Sequence, residues 1–205
     1  MQKAIALLSG GFDSPVAIHQ VQNRVDVIAV HFHQVPLTGD QEIEKVKSLA
    51  TKLGVKKLYI VPFVEVFKEL VDKCRHRDYY VLSKIAMYRA AEEIAEKEGA
   101  DFLITGENLA QVSSQTLSNM KSISSQISLK IIRPLLTCDK VEIINIAKDI
   151  ETFEISKGPE VCSLLGPKNP STTSKVERIK EEINRVDLNS LIKESLKKIE
   201  IIERN

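Results

Sequence analysis

The most constraining feature of this 205-residue chain is Ser9-Gly10-Gly11-Phe12-Asp13-Ser14, set directly between an apolar run and the start of a helix. Paired glycines let backbone amides approach an anion. The hydroxyls of Ser9 and Ser14 and the partial positive charge of a helix N-terminus add to them, so the hexapeptide predicts a pyrophosphate cradle. Asp13 would be repelled by bare phosphate, and its presence calls for Mg2+ bridging the carboxylate to the nucleotide. The GK[ST] ending of Walker A and the GxGxxG of dinucleotide binders are both missing here. Such a loop stands on a parallel sheet, and the sequence supplies one: β-branched apolar runs at 3–8, 25–32, 56–62, 101–105 and 130–133. Between them amphipathic stretches begin near Pro15 and Asp40, run from about Arg77 to Glu98, and resume after Cys138. The expected fold is α/β, a doubly wound, mostly parallel five-stranded sheet with helices on both faces, followed by a C-terminal helical segment. Pro15 suits a first helical turn, with Asp13 and Ser14 as its expected caps.

The pattern divides the chain into a nucleotide-binding unit at 1–150, a cysteine-bearing loop at 151–174 and a helical segment at 175–205. Three Pro and two Gly between 150 and 174 argue for an exposed loop of functional size, beyond the roughly half-dozen residues of ordinary connections. Val176, Ile179, Ile183, Val186, Leu188, Leu191, Leu196, Ile199 and Ile202 recur mostly every three or four residues. They predict helices packed on the chain's own sheet, with docking of a partner or of a second copy in a homodimer as the alternative.

Composition narrows the chemistry. With 29 Lys and Arg against 28 Asp and Glu, net +1, no global field holds nucleic acid, so such binding must be focused in a patch or borrowed from another chain. No apolar run approaches the roughly twenty residues of a membrane span. MQKAIALLSGGFDS enters a strand pattern where a signal peptide would show a charged and then an apolar region, so the expected setting is cytoplasmic, with no membrane. Cys74, Cys138 and Cys162 are odd in number and widely spaced, unlike a disulfide framework or a closed zinc site, and read as free or catalytic thiols.

SGGFDS in this setting resembles the PP-loop ATP pyrophosphatases, of adenine nucleotide alpha hydrolase-like fold, which split ATP between the α- and β-phosphates while adenylating a substrate. The resemblance sharpens in three segments: Thr105-Gly106-Glu107-Asn108-Leu109-Ala110-Gln111-Val112-Ser113-Ser114-Gln115-Thr116-Leu117, Ile132-Arg133-Pro134-Leu135, and Asp139-Lys140-Val141-Glu142-Ile143-Ile144. Together with His31-Phe32 and Gly158-Pro159-Glu160-Val161-Cys162, these are similar to the catalytic domain of the tRNA 4-thiouridine synthetase family (ThiI). The resemblance implies ATP-dependent adenylation of a tRNA uridine, then insertion of persulfide sulfur to give 4-thiouridine, with thiamine biosynthesis as a second role. The implied partners are tRNA and a sulfur donor such as a cysteine desulfurase. The family's THUMP and rhodanese regions are not read in this chain, which points to a separate THUMP-type RNA-binding protein. Two alternatives stay open: an adenylating subunit working with such a partner or with a sulfur carrier, and an ammonia-using enzyme of the same superfamily.

Individual residues carry these expectations. The backbone at Leu7 and Leu8 faces the nucleotide while their side chains pack in the core. His31 and Phe32 end the second strand at its carboxyl edge, where open α/β sheets bind ligands; the resemblance assigns them to adenine. A strand-end histidine equally reads as a partly buried imidazole bonded to a carbonyl. Gly106 allows close ligand approach, and Glu107 offers a carboxylate to metal or ribose. Gln115 suits ribose or base. Lys84, where many relatives carry an arginine pair, and Arg133 are the cations for developing negative charge.

The thiols divide by their surroundings. Cys162, in the Gly/Pro-rich loop, is the expected sulfur carrier. Cys74, in Lys73-Cys74-Arg75-His76-Arg77, is the expected resolving thiol, activated by neighbouring cations. The same cations read as an RNA patch in which Arg75, Arg77, Lys168 and Lys175 are the contacts. Cys138 reads as a packing residue. An iron–sulfur cluster on the three cysteines is the less favoured alternative, because nothing in their spacing demands it.

Overall fold

The computed structural model describes residues 1–158 and 164–204. Five parallel strands, β1 (Gln2–Leu7), β2 (Val25–His33), β3 (Lys57–Pro62), β4 (Phe102–Ile104) and β5 (Lys130–Ile132), lie in the order β5-β4-β1-β2-β3. In β1, Ala4, Ile5 and Ala6 are at most 1% exposed, so neither face of the strand meets water. That double burial makes the run continuously apolar in sequence, where a half-exposed strand would alternate. Ile5 joins Val30, Leu82 and Leu103 in one core, and Ala4 and Ala6 join Val16, Val46 and Ile143 in another. Because successive strand side chains point to opposite faces, these are the two faces of the sheet.

Helices cover both faces: α1 (Asp13–Val21), α2 (Gln41–Lys52), α3 (Val64–Lys73), α4 (Tyr79–Glu98), α5 (Leu117–Ser124), α6 (Lys140–Asp149), α7 (Phe153–Ser156), α8 (Val176–Ile183) and α9 (Leu188–Leu196). A single 3-10 turn at His76–Asp78 leads into α4, which ends at Gly99 with φ +64°, a left-handed cap that glycine adopts without strain. α3, α5 and the short α7 are additions to the helices read from the sequence, and α7 shows that the segment after residue 150 is not all loop.

The sheet departs from the five-strand expectation at its edge. β6 (Glu200–Glu203) pairs antiparallel with β3, pairing Leu58 with Ile202 and Tyr59 with Ile201, and makes the sheet six-stranded among the described residues. The expected helical spacing therefore stops at α9. Over four residues, Ile202 packing inward and Ile201 at 50% exposure satisfy strand alternation as well as helical spacing, and the open edge of β3 selects the strand. α8 and α9 place Ile179, Ile183, Leu188, Ile192 and Leu196 in the same core as α3 and α4, so they pack on the chain's own body.

The strand order brings β4 beside β1 although β2 and β3 intervene in sequence, and this reversal opens a crevice at the carboxyl ends of β1 and β4. The phosphate loop leaves β1 there and Thr105-Gly106-Glu107 leaves β4. A Cβ at Gly106 would lie 2.7 Å from the Asp13 carbonyl carbon, 2.7 Å from the Ser14 nitrogen and 2.9 Å from the Ser14 Cα. Gly106 is thus required by the backbone of the phosphate loop, a more specific demand than the ligand approach read from the sequence. Gly106→Ala is expected to destabilise the protein by roughly 1–3 kcal/mol through overpacking. Gly39→Ala, where nothing lies within 4 Å of the added carbon, stays near neutral; denaturant midpoints of the two variants check the contrast.

Candidate nucleotide site

The crevice opens into a cavity of about 570 Å3, within the range that small ligands fill. Leu7, Leu8, Ser9, Gly10, Gly11, Asp13, Ser14, His31, Phe32, Lys84, Gly106 and Gln115 all line it. Arg133 does not; it stands behind the wall. Cys74 lies elsewhere, and Cys162 lies outside the described residues.

The phosphate loop braces itself. Ser14 Oγ accepts from Ser9 N at 2.9 Å, lies 3.1 Å from Ser9 Oγ and is 3.3 Å from Ser9 O, while Gly11 N donates to Ser9 Oγ at 3.3 Å. The two hydroxyls expected to serve an anion are committed to shaping the loop. Asp13 and Ser14 do not cap α1 either: Phe12 is the N-cap residue and makes no side-chain cap bond, which leaves the helix N-terminus open toward the cavity. Outside support comes from α7, where Phe153 stacks on Phe12 at 5.2 Å and Ser156 Oγ donates to Gly11 O at 3.2 Å.

Asp13 turns its carboxylate to the cavity with 24% of the side chain exposed, and Lys140 Nζ from α6 reaches Oδ1 at 2.8 Å. One accessible carboxylate beside a phosphate loop, completed by phosphate oxygens and water, fits the ligand set of Mg2+. Glu107, which also lines the cavity and is 3% exposed, receives Lys84 Nζ on Oε1 at 2.7 Å and Arg133 Nε on Oε2 at 2.7 Å. Arg133 also donates to Ser124 Oγ at 3.0 Å. Burial alone would raise the Glu107 pKa, but the two cations overcome it and hold it at about 2. Glu107 is therefore occupied by protein cations, contrary to its expected service to metal or ribose.

His31 takes the carbonyl-bonded form that a strand-end histidine allows while still facing the cavity. Its Nδ1 is 3.0 Å from Leu8 O; a carbonyl can only accept, so Nδ1 carries the proton. Burial lowers the pKa to about 4 against the opposing pull of that hydrogen bond, so the ring is neutral and Nε2 is a bare acceptor. Nε2 and Gln115 Oε1 are buried without hydrogen-bond partners among the described residues. Phe32 packs on Phe63 with ring centroids 4.7 Å apart.

The thiols are less uniform than their sequence suggests. Cys74 is buried, donates to Glu182 O of α8 at 3.2 Å, and is pushed up to about 11 by burial and then by Glu182. It is not the cation-activated thiolate expected of a resolving cysteine. Cys138 packs against the core on the other face of the sheet. Among the described residues no group of three His, Cys, Asp or Glu is arranged to hold a metal ion, and with Cys74 and Cys138 in separate cores an iron–sulfur cluster gains no support there. In the basic patch, Arg77 Nε is spent on Asn169 O at 3.1 Å and the Arg75 guanidinium lies 3.8 Å from the buried Asp78.

Sequence reasoning missed Glu42, Lys45, Tyr80, Met87 and Tyr88 as cavity residues and gave Lys140 no role. Only the DKVEII segment around Lys140 offered a signal, because the others reach the cavity through long-range packing of α2 and α4.

Fold and cavity together define the class: an α/β protein of adenine nucleotide alpha hydrolase-like architecture with a phosphate loop at its topological switch point. The family follows from comparison. A family model described as thiamine biosynthesis protein (ThiI) matches residues 1–188, and the chain belongs to this family. It is 40% identical over 206 residues to a probable tRNA sulfurtransferase of Alkaliphilus oremlandii, covering 97% of this chain and 53% of that protein. A protein of the same description from Acetivibrio thermocellus is 41% identical, with 98% and 53% covered. The chain thus spans about half the length of the curated relatives it matches. Among solved structures, a 4-thiouridine synthetase–RNA complex with bound ATP superposes with TM-score 0.90 at 38% identity, over 98% of this chain and 55% of that one. The U34-tRNA thiolase NcsA from Methanococcus maripaludis, described with its [4Fe-4S] cluster, has TM-score 0.59 at 17% identity over 96% and 71% of the two chains, a likeness of fold.

The His31 geometry has a measurable consequence. Its pKa falls from 6.5 unfolded to about 4 folded, so the unfolded chain binds the extra proton between these values and stability drops as pH falls from 6.5 toward 4. At about 1.4 kcal/mol per unit the loss is about 3 kcal/mol. His31→Gln is expected to flatten that part of the stability–pH profile, read by denaturant unfolding from pH 7 to 4.

Proposed function

We propose that this chain is the ATP-using part of a cytoplasmic tRNA sulfurtransferase that adenylates a uridine and replaces its oxygen with sulfur to give 4-thiouridine, with sulfur transfer for thiamine biosynthesis as a second use. The observation that carries the reading is the cavity at the β1–β4 switch point, with its phosphate loop, in a chain of this family. In this reading the amides of Gly10 and Gly11 and the α1 N-terminus take the polyphosphate. His31 Nε2, a bare acceptor, suits the adenine amino group, Phe32 and the Leu7–Leu8 backbone flank the base, and Gln115 takes ribose or base. Asp13 holds Mg2+, which when bound would neutralise phosphate charge during displacement. Lys84, fixed by Glu107, faces the charge that develops at the α-phosphate, while Arg133 acts behind it through Glu107.

The uridine O4 attacks the α-phosphorus and the bond to the β-phosphate bridging oxygen breaks, releasing pyrophosphate. The terminal sulfur of a Cys162 persulfide, loaded by a donor such as a cysteine desulfurase, attacks C4, and AMP leaves with the oxygen. A second thiol then attacks Cys162 Sγ, freeing the thiolated base and leaving a disulfide for reduction. A buried Cys74 with its pKa near 11 is unsuited to that step. A second reading, an adenylating subunit whose tRNA is gripped by a separate THUMP-type chain, is favoured by the net charge of +1 and by the engagement of Arg75 and Arg77 within the fold.

Cys162→Ser keeps size and polarity but carries no persulfide. With tRNA present, pyrophosphate release is expected to persist and thiolated nucleoside to vanish, read by a pyrophosphate assay beside mass spectrometry of digested tRNA. Undiminished thiolation would remove Cys162 from the reaction. Asp13→Ala is expected to abolish AMP formation with little change in the melting temperature; turnover near wild type would refute the metal role.

A further inference from the structure

Three lysines line the cavity, and two are already matched by carboxylates: Lys84 by Glu107 at 2.7 Å and Lys140 by Asp13 at 2.8 Å. The third, Lys45 of α2, has no ion-pair partner among the described residues. Glu42, one turn earlier on α2, shares this wall, with its Cγ 3.7 Å from the Cβ position of Gly10. The Lys45 stem crosses the phosphate loop where a Cβ on Gly10 would lie 2.9 Å from its Cδ. Its ammonium reaches to 3.5 Å from the Cβ position of Gly158. Gly10 therefore does two things: it bares backbone to an anion, and it leaves the space through which this lysine passes. An ammonium lining the cavity beside the phosphate loop, with no ion-pair partner among the described residues, is placed to receive an anionic ligand.

We propose that Lys45 is a phosphate ligand, contacting the terminal phosphates of ATP and the pyrophosphate that leaves. The inference rests on the ATP reading above and adds a residue to it. Lys45 stabilises charge on the leaving group, whereas Lys84 faces the α-phosphate; the two cations divide the polyphosphate between them. A compact ammonium on a flexible stem suits this duty, since it can follow pyrophosphate as it moves away.

The test separates the two ends of the nucleotide. Binding of inorganic pyrophosphate with Mg2+, and separately of AMP, is measured by titration calorimetry for wild type, Lys45→Met and Lys45→Arg. Methionine keeps the apolar stem over Gly10 and removes the charge. Losing a charge-assisted contact is expected to weaken pyrophosphate binding roughly ten- to a hundredfold, to leave AMP affinity unchanged, and to be largely reversed in Lys45→Arg. Unchanged pyrophosphate affinity in Lys45→Met, or equal loss of AMP and pyrophosphate, overturns the assignment while the ATP site stands. Wild-type protein that binds neither ligand overturns the ATP reading itself, and the Lys45 assignment with it.

Discussion

The site depends on one buried carboxylate. Glu107 leaves water almost completely, which is tolerable only because Lys84 and Arg133 each bond one of its oxygens at 2.7 Å. The three groups come from α4, from the end of β4 and from just past β5, so the cluster ties together the elements that bound the cavity on this side. Two cations and one carboxylate leave a surplus positive charge at the cavity wall. Removing one member of such a buried cluster leaves an uncompensated charge, typically at a cost of about 3–5 kcal/mol. Lys84 is thereby held at the cavity, and such fixed charge would need no rearrangement as negative charge develops in the proposed reaction.

The neighbouring residue, Gly106, supplies the other half of the constraint. Its missing side chain lets the end of β4 touch the backbone of Asp13 and Ser14. The phosphate loop is thus positioned from behind by β4, from within by the Ser9–Ser14 bonds, and from outside by Phe153 and Ser156 of α7. Lys140 pairs with Asp13 beside this loop, and Lys45 has no ion-pair partner among the described residues.

Much of this was legible in the sequence, for local reasons. The Ser9–Ser14 hexapeptide carries its own backbone requirements, and strands buried on both faces announce themselves as unbroken apolar runs. What escaped depended on distant chain. Cationic neighbours made Cys74 read as a reactive thiol, but α8, 108 residues away, buries it against Glu182 O. Glu107 looked available to a ligand because Lys84 and Arg133 are neighbours only after β4 and β5 pair. The helical spacing through Ile202 failed where a run too short to fix its own period met the open edge of β3. Lys45 was hidden because its neighbours in α2 are core positions, Val46, Leu49 and Ala50, and only the tertiary placement of that helix carries the lysine over Gly10.

The central claim is that this cavity splits ATP between the α- and β-phosphates on behalf of a tRNA. ATP labelled at the α-phosphorus, incubated with the protein, Mg2+, a persulfide donor with reductant, and unmodified tRNA, and resolved by chromatography, tests it most directly. The account predicts labelled AMP with an equal amount of pyrophosphate, formed faster with tRNA than without. Labelled ADP with inorganic phosphate, or AMP formation indifferent to tRNA, would contradict it.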